Sequence, residues 1–247
     1  MPDVLGWRRK FGVIGPSTNP VVEPDYDAMR PAGVTNHYSR IFTPNAAPTN
    51  ETFAASVAKI ADNVMEAVNS AMTCGPDYLL MAISAITFFG GAKGADAFVR
   101  RIEDHTGVGI SIGSHSITAA LRTYGGIGRI AILSPYWRVM NEAVTGYFTD
   151  VGFRVMRDMA LECRSWTAIA EVTPAQCRDA LRKLDGDDVD AIVQVGTNLS
   201  MVRLATAAEL WLGKPVVAIN AATYWHALRA NGIADRMEGF GRLLAEF

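Results

Sequence analysis

Seven short apolar runs, separated by longer stretches of helical periodicity, constrain this chain more than any other feature. The runs are "KFGVIGP", "DYLLMAIS", "VGISIGS", "RIAILSP", "FRVMRDMAL", "DAIVQVGT" and "PVVAINA". Bounded by Gly, Pro, Ser or Asn, such runs read as buried strands. Between them, "NETFAASVAKIADNVMEAVNSAM" spaces Phe53, Val57, Ile60, Val64, Val68 and Met72 three or four residues apart, which makes one apolar helix face. "NEAVTGYFTDVG" and "TPAQCRDALRKLD" follow the same period. In the latter, Thr173 is the expected N-cap and Pro174 falls in the first turn. Strand and helix alternating in this way predict an α/β protein with parallel sheets and helices on both faces.

The remaining bounds come from composition. A chain of 247 residues that is 49% hydrophobic can bury a large core, in one domain or two modest ones. Its net charge of -2 shows no basic footprint for nucleic acid. No apolar run reaches membrane-span length. In "MPDVLGWRRKFGVIG" the basic cluster directly precedes a strand-like run, so no signal peptide is expected. Cys74, Cys163 and Cys177 are sparse and form no CxxC pair. That pattern argues against disulfides or structural zinc and for a reducing cytoplasm.

In open parallel sheets, ligands bind beyond the carboxyl ends of strands. The loops expected there are "GPSTNPVVEPDY", "AISAITFFGG", "GSHSIT", "SPYWRV", "CRSWT", "GTNLS" and "NAATYWH". Most are rich in small hydroxyl and amide side chains, and several lead straight into a helix. Helix starts and clustered backbone N–H groups attract anions. No GxGxxG or Walker pattern is present, which disfavours a nucleotide. The expected ligand is a small carboxylate. Capping alone would explain any single loop. The Pro/Asn-rich "TPNAAPTNETF" reads as a surface loop placed to act as a lid.

These loops, in this order, resemble the aspartate/glutamate racemase superfamily, in its maleate cis-trans isomerase and arylmalonate decarboxylase branch. "GVIGPSTNPVVEPDY", "RIAILSPYW", "KPVVAINAATYWHALRANG" and "GFGRLL" carry the resemblance through nearly the whole chain. It implies two similar α/β lobes related by a pseudo-twofold, with the active site between them. The lobes would comprise residues 1–113 plus 222–247, and residues 114–221. It implies no metal, flavin or pyridoxal, and chains that pair as homo-oligomers. Two loops of the family carry catalytic cysteines, and the aligned positions here are Ala82 and Gly196. Neither holds a thiol, so the family's cysteine chemistry is not expected to run in its usual form. Trp166 stands where maleate isomerases place an asparagine. An indole stacks or fills space and does not grip a carboxylate, so an unsaturated, cyclic or aromatic acid is expected in place of maleate.

By the same resemblance Asn19 holds carboxylate and Tyr136 donates to a carboxylate or enolate oxygen. Ser17 and Thr18 neighbour Asn19. Ile83 and Ser84 follow Ala82, and Thr197 and Asn198 follow Gly196, offering donors from each lobe. An acid or base is still needed. His115 in "GSHSIT" titrates near neutral pH and is the first candidate; Cys163 in "ALECRSWT" is the second. His226, Glu23 and Asp25 read as structural, Arg164 as a solvated charge, and Cys74 and Cys177 as remote from the cleft. The expected function is a cofactor-free decarboxylase, other lyase or isomerase that stabilises an enediolate or carbanion. The alternatives are a hydrolase of a small amide or cyclic acid, and a non-catalytic carboxylate binder.

Overall fold

The apolar runs form strands and the amphipathic stretches form helices in the computed structural model, which describes residues 3–47 and 49–247. Pro48, inside the expected lid segment, and the side chain of Phe53 lie outside the described residues. The first half runs β1 (Arg9–Pro16), α1 (Val22–Ala28), β2 (Val34–Ile41), α2 (Asn50–Asp62), α3 (Val64–Met72), β3 (Tyr78–Met81), α4 (Gly91–Thr106), β4 (Ile110–Ile112) and α5 (Gly113–Tyr124). The second runs β5 (Arg129–Ser134), α6 (Arg138–Asp150), β6 (Arg154–Ala160), α7 (Pro174–Leu184), β7 (Ala191–Gln194), α8 (Val202–Leu212), β8 (Val216–Ala218), α9 (Ile219–Ala230) and α10 (Arg242–Glu246). Short 3₁₀ turns span Ala85–Thr87 and Thr167–Glu171.

Two four-stranded sheets repeat one order, β2-β1-β3-β4 and β6-β5-β7-β8, and every pairing is parallel. The inner strands are buried on both faces. Phe11, Val13, Ile14, Leu79, Leu80 and Met81 fill the first sheet, and Ile130–Leu133 with Ala191–Val193 fill the second. This explains why those strands read as unbroken apolar runs and not as alternating ones.

The run pattern missed β2, "VTNHYSRI". As an edge strand it meets the core mainly through Val34 and Ile41, and its middle is polar and half-buried. The single helix expected over Asn50–Met72 is two helices, parted at Asn63, which caps both. Two expected loops are helical from their first residues: α5 starts at Gly113 and α9 at Ile219. Thr173 does cap α7, in a reciprocal capping box with Gln176 and with Pro174 in the first turn.

α9 belongs to neither sheet's outer layer. Its residues from Ile219 to Trp225, with Ala227 and Leu228, are buried all round. A helix without a polar face must sit inside the protein. α9 packs along α5 and reaches β3, β4 and α1 of the first sheet. Arg8 and Asp235 form an ion pair at 2.6 Å, and Arg9 Nε donates to Asn231 Oδ1, so the C-terminal segment is tied back to the chain start.

Asp190 stitches the entry of β7 to that of β5. Its Oδ2 accepts from the main-chain N–H of Gly128 and Arg129, and its Oδ1 from the Arg129 guanidinium at 2.6 Å. The Arg129 bond, aided by those N–H groups, holds the carboxyl at about 2, against an ordinary value of 3.8. A depressed folded-state pKa stabilises above the unfolded value and is lost as pH falls through the folded one. Asp190→Asn should therefore lower the melting temperature near neutral pH. The gap to the native protein should narrow as pH drops from about 4 to about 2. Thermal denaturation across that range checks it; a constant gap would contradict it.

Candidate active site

The carboxyl ends of three strands from each sheet converge on one cleft, which is partly open to solvent. β1 leads to Pro16, Thr18 and Asn19, β2 to Thr43, and β3 to Ile83 and Ala85. From the other sheet β5 leads to Tyr136, β6 to Trp166 and Ile169, and β7 to Gly196, Thr197 and Asn198. Ile60 of α2 closes the wall. No Lys, Arg, His, Asp, Glu or Cys lines the cleft among the described residues.

The two halves are bonded across this cleft. Asn19 Nδ2 donates to Thr197 Oγ1 at 3.1 Å, and Thr197 Oγ1 donates to the carbonyl of Ala82 at 2.8 Å. Asn19 Oδ1 accepts from the N–H groups of Val21 and Val22, capping α1. One proton of the Asn19 amide thus remains for a ligand. Thr197 is itself held, since Asn220 Nδ2 donates to its carbonyl at 2.9 Å and to Asp25 Oδ2 at 2.8 Å. Burial raises the Asp25 carboxyl, opposed by the Asn220 bond. Asp25 therefore serves the loop from behind and does not line the mouth.

Tyr136 is buried and its hydroxyl lies 2.5 Å from Ser84 Oγ, a second bond between the halves. Burial drives its pKa well above the usual 10, against hydrogen bonding from Ser84 and the N–H of Ala85, so it stays a protonated donor. Ser134, Asn141 and Asp158 hold its turn: Tyr136 N–H donates to Ser134 Oγ, Ser134 bonds Asn141, and Asn141 Nδ2 donates to Asp158. The main-chain N–H groups of Ile83, Ser84, Thr197 and Asn198 have no acceptor within the protein among the described residues.

Of the expected substrate-binding residues, Thr18, Asn19, Ile83, Trp166, Gly196, Thr197 and Asn198 line the cleft. Ser17, Ala82 and Ser84 stand one step behind. Ser17 Oγ accepts from Thr43 N–H, Ala82 accepts from Thr197, and Ser84 bonds Tyr136. The two acid/base candidates are not on the wall. His115 sits in the first turn of α5 with Nε2 at 3.1 Å from Asp96, and burial lowers its pKa despite that carboxylate. Cys163 Sγ is half-buried beside Cys177 of α7, and burial, then Cys177, pushes its thiol up to about 11. His226 Nδ1 lies between Ser111 and Ser116. Sequence reading missed Pro16, Thr43, Ile60, Ala85 and Ile169. Thr43 carried a signal in its place within the expected lid, and that segment is clamped by reciprocal Asn45–Thr167 hydrogen bonds.

Residues 21–244 match the family model described as arylmalonate decarboxylase. The chain belongs to the arylmalonate decarboxylase family. Maleate isomerase of Nocardia farcinica is 26% identical over 248 residues, covering 96% of each chain. Arylmalonate decarboxylase of Bordetella bronchiseptica is 26% identical over 166 residues, covering 66% of this chain and 69% of its own. Among solved structures, the Nocardia farcinica maleate cis-trans isomerase with a covalently bound succinylcysteine intermediate superposes with a TM-score of 0.87 at 24% identity. It covers 97% of this chain and 99% of its own. A liganded double mutant of arylmalonate decarboxylase gives 0.85 at 21%, covering 97% and 100%. The fold of this family member is thus that of both enzymes, and its relatives are of isomerase and decarboxylase type.

Gly196 opens the cleft loop of this family member with φ of 97°. A Cβ there would stand 2.5 Å from Pro135 Cδ. The backbone and the proline ring both select glycine. Gly196→Ala should therefore cost about 2 kcal/mol or more of stability. Urea unfolding measures it, and a loss under about 0.5 kcal/mol, the usual range for harmless substitutions, would refute the strain.

Proposed function

We propose that this chain is a cofactor-free enzyme on a small carboxylate, of decarboxylase or related lyase type, working through an enediolate. The observation that carries this reading is the pair of unpartnered N–H groups on each loop flanking a cleft that holds no cation. Fixed neutral dipoles of that kind bind carboxylate oxygens and strengthen as charge gathers on them. Tyr136, kept protonated, adds a further donor.

In the proposed reaction on a malonate-type acid, one carboxylate takes the N–H groups. The other lies against the apolar wall of Ile60, Ile83, Ile169 and Trp166. Its bond to the α-carbon breaks, the electron pair passes into the retained carboxylate as an enediolate, and carbon dioxide leaves. The α-carbon then takes a proton from water, because His115 and Cys163 lie off the wall. An apolar wall disfavours the carboxylate that departs. It also suits an unsaturated or aromatic substituent better than a second strongly held charge. A hydrolase reading lacks support, since water activation calls for a base and no carboxylate or imidazole lines the cleft among the described residues. A thiol adduct lacks support for the same reason, because Cys74, Cys163 and Cys177 are all off the wall.

Incubation with a panel of malonate-like, maleate-like and amide acids in heavy water, followed by NMR, tests the reading. Release of carbon dioxide with deuterium on the α-carbon is expected; binding without turnover would favour a carboxylate-binding protein, and hydrolysis products the hydrolase. With an active acid in hand, Tyr136→Phe should lower kcat/KM about a hundredfold, the typical loss for one donor to a developing oxyanion, and Ser84→Ala, which removes only the hydroxyl that bonds Tyr136, should cost less. His115→Ala and Cys163→Ser should leave it within about twofold, since rate changes of that size carry little transition-state energy. A collapse in either control would return that residue to the mechanism.

A further inference from the structure

Asn198 is the polar residue of the cleft whose hydrogen bonding is incomplete in a decided direction. It lines the cavity and is 7% exposed. Its Nδ2 donates to the carbonyl of Trp166 at 2.8 Å and reaches that of Thr18 at 3.4 Å. Both partners are carbonyl oxygens, which only accept. The amide nitrogen must therefore face them, and rotating the amide would set oxygen against oxygen. Which end is nitrogen and which is oxygen is settled by these neighbours, not by assignment alone. Oδ1 is then left as a buried acceptor with no donor. Its loop already supplies the free N–H groups of Thr197 and Asn198 for a carboxylate. Maleate and malonate, as dianions, bring acceptors only, and an acceptor set against Oδ1 is repelled.

We propose that the acid taken by this cleft carries an amide N–H or a hydroxyl beside its carboxylate, and that this donor bonds Asn198 Oδ1. The proposal rests on the carboxylate reading above and narrows its substrate class. A site that leaves a buried polar group unpaired discriminates strongly against the analogue lacking the matching group. The same loop thus holds both ends of the recognition. Its main-chain N–H groups take the acid oxygens, and the Asn198 carbonyl takes the substituent's proton. Trp166, whose carbonyl turns the Asn198 amide, sets that polarity through its backbone while its side chain lines the cleft.

Calorimetric titration with matched acids tests this: hydroxymalonate against malonate, malate against succinate, and maleamate against maleate. The donor-bearing member of at least one pair should bind the native protein about tenfold tighter or more. Asn198→Ala, with its fold checked by thermal denaturation, should bring that ratio to within about twofold; loss of the Trp166 tether would weaken both members of a pair alike and leave the ratio readable. Equal binding of both members in every pair, or a preference that survives Asn198→Ala, overturns the proposal while leaving the carboxylate reading intact. If no acid of either kind binds, the carboxylate reading falls, and the proposal with it.

Discussion

Thr197 is the point through which the two halves of the molecule agree on one cleft. Its hydroxyl donates to Ala82 of the first sheet and accepts from Asn19 of the same sheet, while its own chain comes from the second. A hydroxyl has one proton and two lone pairs, so this pairing sets its orientation. The loop can present Thr197 there because Gly196 turns in the left-handed region against Pro135, a turn that a Cβ would obstruct. Asn220, from the buried helix α9, fixes the Thr197 carbonyl and is itself braced by Asp25. The other tie, between Ser84 and Tyr136, depends on the same approach of the sheets. Loss of the Thr197 seam would misplace both sets of free N–H groups together.

The electrostatic character of the site follows from where charges were left out. Ion pairs are plentiful on the surface and at strand entries, as with Arg129 and Asp190 or Arg157 and Asp188. At the opposite, carboxyl ends of the strands the cleft wall carries, among the described residues, only hydroxyls, amides, main-chain groups and apolar side chains. Such a wall offers an anion dipoles fixed in the fold, with no charged side chain among its described lining residues. Dipoles that need not reorganise serve a charge that moves during a reaction. The thiol and imidazole that sequence reading nominated as proton carriers are absent from the cleft wall, and His115 bonds Asp96 instead. Tyr136 borders this neutral cleft, and burial keeps its proton in place.

Much of this was legible in the amino-acid order. The inner strands were readable because burial on both faces leaves no polar positions, and α7 was readable because Thr173, Pro174 and Gln176 announce a helix start within four residues. β2 was not, because an edge strand needs few apolar residues. Thr18, Asn19, Tyr136, Trp166 and the Gly196–Asn198 turn line the cleft just beyond strand ends, which sequence can locate. Ile60 and Ile169 were not legible, since an apolar residue on a helix or turn looks the same whether it faces core or cleft.

The sequence by itself determined the parallel α/β architecture, the loops that border the cleft and the absence of a thiol at Ala82 and Gly196, because each is a local property of residue type and spacing. Only the tertiary structure decided which side chains share the cleft. His115 lies in the first turn of α5 and bonds Asp96 of α4, and Cys163 lies three residues from Trp166 yet does not line the cleft. The direction of a side chain is set by the elements packed against it, and those come from distant parts of the chain. The open acceptor on Asn198 has the same origin. Trp166 and Thr18, 32 and 180 residues away in sequence, claim its nitrogen and leave its oxygen unpaired.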